Sequence, residues 1–155
     1  MRKCKVEVTR SRGLDALPLL AAMLAVLSQP ALADASLSVT VTGLKKDGAE
    51  LRCALFGKPD GFPTEAAAIA TTAGVIAGGK GVCQFQSVPT GPLAIAAYED
   101  ANSNGKLDTN AIGMPKEGLA FSRDARVRFG PPKFSAAAFD HAGGAVELTL
   151  KAEYY

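Results

Sequence analysis

Histidine occurs once in these 155 residues, cysteine three times, and aromatic residues make up only 6% of the chain. The one histidine, His141, falls in the turn-like stretch Asp140-His141-Ala142-Gly143-Gly144, far from any serine elbow or reactive-cysteine context. Nucleophilic catalysis therefore has little to work with, and His141 reads as a surface turn residue. No two cysteines stand in C-x-x-C spacing, which removes the usual redox and metal motifs. No apolar run reaches the roughly 20 residues of a membrane-spanning helix, and neither a long amphipathic helix nor an internal repeat is present. What remains, at 48% hydrophobic and 21% charged, suits one globular domain, and its 16 glycines and 9 prolines ask for many turns.

The amino terminus carries its own signal. Arg2, Lys3, Lys5, Arg10 and Arg12 precede an apolar run from Leu17 to Leu27, and Ala31-Leu32-Ala33 supplies a small-x-small site after Pro30. Residues 1–33 are accordingly expected to be a signal peptide cleaved after Ala33, leaving residues 34–155 as a single periplasmic or secreted domain. An uncleaved anchor is the alternative, but the run is too short to span. No cysteine follows the run to take a lipid, and Cys4 departs with the leader. The leader also holds five basic and two acidic residues, so the mature chain has 12 basic against 13 acidic. That near balance removes any support for a nucleic-acid partner.

The dominant period in the mature chain is two. Leu37, Val39 and Val41 alternate with Ser38, Thr40 and Thr42, which predicts a half-buried strand. Lys46-Asp47-Gly48 reads as a turn into a second strand from Glu50 to Phe56, and the two are expected to form a hairpin. Further strands are expected over 71–76, 82–88, 93–98 and around Val146, Leu148 and Leu150, with one helical turn over 66–70. Six to eight short strands at this spacing argue for an all-β fold, an antiparallel β-sandwich of about seven strands. Cys53 shares a strand face with Leu51 and Leu55, and Cys83 lies opposite Gln84 and Gln86, so both thiols point to the core. In an oxidising compartment a Cys53–Cys83 disulfide is expected, contributing about 3.6 kcal/mol by loop-closure entropy. Two buried free thiols are the alternative.

The richest motif is Asp100-Ala101-Asn102-Ser103-Asn104-Gly105-Lys106-Leu107-Asp108, which fits D-x-N-x-N-G-x-L-D. Oxygen ligands at alternate positions, Asp100, Asn102, Asn104, the Lys106 carbonyl and Asp108, suit a hard cation, and Gly105 permits the sharp turn. Leu107 is expected to anchor the loop inward. The twelfth position is Ala111 where an EF-hand needs a bidentate Glu, so Glu99 or Glu117 is the candidate to complete the shell. Calcium, held structurally and weakly, is one reading; the other is that Asp and Asn only make Asx-turns.

The order Gly91-Pro92-Leu93-Ala94-Ile95, then the Asp100 to Asp108 loop, Gly113-Met114-Pro115-Lys116-Glu117-Gly118, Phe121-Ser122 and Gly130-Pro131-Pro132-Lys133-Phe134 resembles the bacterial exported family known as domain of unknown function 2141. The resemblance covers nearly all the mature chain. It implies an immunoglobulin-like or prealbumin-like β-sandwich and no known reaction. The family's usual F-S-N is here Phe121-Ser122-Arg123. Prealbumin-like hydrolases that open a purine-derived ring depend on several histidines, which this chain lacks. The 113–134 segment reads as a long loop over one end of the sandwich, anchored by Phe121, Phe129 and Phe134. Its charges Arg123, Arg126, Arg128 and Lys133 read as a solvated edge, with a basic face for an anionic glycan or lipid head group as the alternative. Three functions stand: a non-catalytic exported β-sandwich with the Asp/Asn loop, a binding or adhesion module for a cell-envelope protein or glycan, and a hydrolase using Asp100, Asp108 and Glu117. The first is the expectation. A binding module would show itself by an exposed aromatic cluster or an unpaired edge strand.

Overall fold

The computed structural model describes residues 35–155; the expected signal peptide and its cleavage site lie outside them. Eight strands run in chain order: β1 (Leu37–Thr42), β2 (Glu50–Phe56), β3 (Ala70–Val75), β4 (Lys80–Phe85), β5 (Gly91–Asp100), β6 (Leu119–Phe121), β7 (Phe139–His141) and β8 (Val146–Lys151). One helical turn, α1 (Phe134–Ala137), and 3-10 turns at Glu65–Ala67 and Ser122–Asp124 complete the elements. Among the described residues no helix is long and apolar enough to cross a membrane.

The strands form two sheets, one in the order β4-β1-β8 and the other β3-β2-β5-β6 with β7 also paired to β5. Leu37, Val39 and Val41 are fully buried, and they meet Leu51, Cys53 and Leu55 in one core. Residues whose apolar faces oppose each other across a core must lie in opposite sheets. That is why β1 and β2 do not form the expected hairpin: β1 pairs antiparallel with β4 and parallel with β8. The Lys46-Asp47-Gly48 turn instead crosses from sheet to sheet, its backbone bonded to the β3–β4 connection through Leu44 N to Gly79 O at 3.0 Å and Gly48 N to Ile76 O at 2.8 Å. The sandwich is thus mostly antiparallel with one parallel pair. Cys53 on β2 and Cys83 on β4 are joined in a disulfide, Cα to Cα 6.4 Å, which ties the two sheets together through their shared core.

Strand β5 is buried on both faces. Leu93, Ile95 and Ala97 point into the core between the sheets, while Ala94, Ala96 and Tyr98 meet a second cluster with Leu119, Phe121, Ala137 and Phe134. Phe62 sits edge-on to Phe56, Phe134 and Phe121, with ring centroids 5.0, 5.7 and 6.1 Å away. Ser122, fully buried, accepts from Ile95 N at 2.9 Å and donates to Ala137 O at 2.6 Å. The 113–134 segment is therefore more than a loop: it supplies edge strand β6 and a second apolar layer on the outer face of the larger sheet. Phe121 and Phe134 anchor it as expected, but Phe129 is fully exposed. His141 also departs from expectation. Instead of a surface turn it ends β7, 2% exposed, with Nδ1 2.9 Å from Pro89 O and Nε2 3.2 Å from Gly144 O. The pairing of β7 with the start of β5 carries it inward, a long-range contact with no local sequence signature.

Candidate functional site

β5 runs two residues beyond its expected end, so Glu99 and Asp100 are strand residues with opposite fates. Glu99 turns to the inner side, where it accepts from Lys45 N at 3.1 Å, Lys46 N at 2.6 Å and the Tyr154 hydroxyl. Burial and that bond push the Tyr154 hydroxyl above its ordinary range. Tyr154 lies so close over Gly118 that a Cβ there would stand 2.6 Å from its ring, which explains the glycine. Glu99 is thereby occupied away from the Asp/Asn loop.

Asp100, fully buried, nucleates the loop: its Oδ1 accepts from Asn104 N at 3.0 Å and its Oδ2 from Gly105 N at 2.7 Å. Gly105 takes a φ of +74°, the left-handed turn the motif requires. Asn102 and Asn104 each accept a backbone N–H two residues on, from Asn104 and Lys106, at 3.2 and 2.8 Å. Their amide nitrogens both point at Asp108, at 2.7 Å from Asn102 and 3.2 Å from Asn104. Glu117, 5% exposed, straps the two ends together, Oε1 accepting from Ala101 N at 2.8 Å and Oε2 from Asp108 N at 2.9 Å. The predicted residues Asp100, Asn102, Asn104, Lys106, Asp108 and Glu117 are thus gathered in one place. Lys106 contributes its backbone N–H to Asn104. No three His, Cys, Asp or Glu side chains converge on a single metal position among the described residues. Leu107 does not turn inward; it is exposed at 36% and lines a groove instead.

That groove, of about 800 Å³, lies on the outer face of the larger sheet. Ala96, Tyr98, Leu119 and Phe121 form its floor. Three chain segments wall it: Pro63 to Glu65, the Leu107 to Pro115 stretch, and Val127 to Pro131. Asn110 shapes the second wall by accepting from Ile112 N at 3.0 Å and Met114 N at 2.9 Å, which holds up Ile112, 83% exposed, opposite the exposed Phe129. A smaller recess of about 180 Å³ adjoins it, sharing Pro63, Glu65, Ala96 and Tyr98 and adding Arg52. Arg52 and Tyr98 are cross-strand partners on β2 and β5. The Arg52 guanidinium reaches Glu50 at 3.4 Å and Glu65 at 3.3 Å. Burial pushes the Tyr98 hydroxyl up to about 12 against the lowering influence of Arg52, and the charges of Glu65, Asp100 and Glu117 add to the rise. Arg52, Tyr98 and Asn110 escaped sequence reasoning. The one available signal was that Ala94, Ala96 and Tyr98 keep the outer phase of β5 uncharged, as a strand covered on both faces requires.

The basic residues Arg123, Arg126, Arg128 and Lys133 stay at the surface, with Arg126 paired to Glu153 at 3.3 Å and Arg123 donating to Ala138 O at 3.1 Å. Comparison with curated proteins and with solved structures finds no match. The sequence model of one bacterial family matches residues 39–149. With most of its length so matched, the chain belongs to that family, described as an uncharacterized protein conserved in bacteria, domain of unknown function 2141.

Proposed function

We propose that the protein is an exported, non-catalytic binding module whose ligand lies in the groove on the outer face of the larger sheet. The observation that carries this reading is the groove itself: about 800 Å³, floored by side chains of β5 and β6 and rimmed by Ile112 and Phe129 in full view of solvent. Small-molecule sites are concave, mostly apolar and of roughly 300 to 1,000 Å³, with a few placed polar groups. Exposed apolar rims of this kind mark interaction sites, since each such side chain costs solubility without serving the core. The titratable side chains around it, Glu65, Tyr98, Lys106 and Arg128, offer no pairing of nucleophile and base.

Titration of the purified protein with the neutral fluorophore N-phenyl-1-naphthylamine tests the reading. Bound in an apolar groove the dye brightens, and Phe129→Ser or Ile112→Ser lowers its affinity about tenfold, the worth of one partly buried large side chain. A dye that stays dim, or that binds both variants as well as the parent, removes the groove as the ligand site.

A second reading concerns the Asp/Asn loop and is favoured by the convergence of three side-chain heads. The Asn102 and Asn104 amides both meet Asp108, and turning them over would present oxygens in place of nitrogens, at the expense of their bonds to Asn104 N and Lys106 N. Such oxygens with a backbone carbonyl suit calcium of weak extracellular affinity. Calcium there would stiffen one wall of the groove.

A further inference from the structure

Two buried donors at the head of the groove meet no hydrogen-bond partner among the described residues: the Tyr98 hydroxyl and Arg52 Nε. Burying a polar group without a partner costs about 1 to 3 kcal/mol, so a pair of them side by side on one sheet face calls for an explanation. Both line the recess of about 180 Å³, and Tyr98 also floors the groove. Arg52 cannot relieve itself elsewhere, because its other two nitrogens already face Glu50 and Glu65. Both atoms are closed to solvent as they stand, and a small outward shift of the part-exposed Arg52 side chain would admit a single oxygen that satisfies both.

The charge around the recess selects the kind of oxygen. Glu50 and Glu65 together outweigh the one positive charge of Arg52. Asp100 and Glu117 add negative potential at Tyr98. A carboxylate or phosphate entering there meets repulsion, and an ammonium brings no acceptor and leaves both donors unmet. With its hydroxyl pushed up to about 12, Tyr98 stays a donor across the physiological range. The apolar body of the ligand follows from the groove that continues from the recess past Leu119 and Phe121.

Resting on the groove reading above, we infer that the ligand is an uncharged, lipid-like small molecule carrying a ketone, ester or amide carbonyl at one end, with that oxygen received between Tyr98 and Arg52. Displacement of N-phenyl-1-naphthylamine from the full chain tests this with a chain-matched set: 2-decanone, decanoate and decylamine. The ketone displaces the dye at concentrations about tenfold below either ion. In Tyr98→Phe, and in Arg52→Lys, which keeps the ion pairs but removes Nε, the affinity for 2-decanone relative to the dye falls about fivefold, one hydrogen bond's worth. The comparison among ligands needs no variant and stands if either substitution unfolds the chain. If decanoate or decylamine displaces at concentrations as low as the ketone, or if both folded variants keep the parent's ratio, the inference is overturned while the groove remains. A dye that never binds overturns both.

Discussion

Arg123 holds a φ of +59°, where an L side chain crowds its own backbone and asparagine is the residue best tolerated after glycine. It stands where the family usually has asparagine, and its compensation is one exposed bond to Ala138 O. Arg123→Asn is therefore expected to stabilise the fold by about 0.5 to 1 kcal/mol, read as a rise in urea midpoint at constant slope. Tyr98 gives the opposite kind of prediction. Its folded value of about 12 exceeds the ordinary 10.0, so the unfolded chain loses that proton first. Stability contributed by the neutral hydroxyl is complete below pH 10 and is lost as pH rises through about 12. The urea midpoint should fall across that window, and Tyr98→Phe should flatten the fall, leaving the part owed to Tyr154 and Tyr155, whose shifts have the same sign.

At the scale of elements, strands with one strict apolar phase were legible and those made by distant pairing were not. β1 and β2 could be read to the residue because Leu37, Val39, Val41 and Leu51, Cys53, Leu55 alternate without a break. β6 and β7 are three residues each, too short to show a period, and exist because β5 offers them an edge. The Asp/Asn loop was legible as a unit, since its bonds join residues two to sixteen apart, whereas the inward role given to Leu107 depended on a neighbour the loop does not have. Its ion content is open to a direct measurement. At about 10 mM calcium and an affinity of about 10⁻⁴ to 10⁻³ M, the gain in stability is about 1.4 to 2.7 kcal/mol over EDTA. Asp108→Asn should abolish that gain. Asp100→Ala is the poorer control, because it strips two backbone N–H groups of their acceptor whether or not an ion binds. Melting curves that coincide in EDTA and calcium would leave only Asx-turns.

For the whole molecule, the disulfide is a covalent cross-link between the sheets beyond the chain's own connections, closing a separation of 30 residues. Cys53→Ser with Cys83→Ser should cost about 2 to 5 kcal/mol, measured as the difference in denaturation midpoint from the oxidised parent. The groove lay beyond sequence reasoning for a reason of scale: its floor and walls come from positions near 64, 97, 110 and 129, which nothing local connects. One feature of the topology reaches further than stability. The first strand lies between β4 and β8, hydrogen-bonded along its whole length to the last. The smaller sheet consequently cannot close until residues 146–151 are available to pair with β1, so its assembly waits on a contact between strands far apart in the sequence, while β1 and β4 alone leave one edge of β1 open.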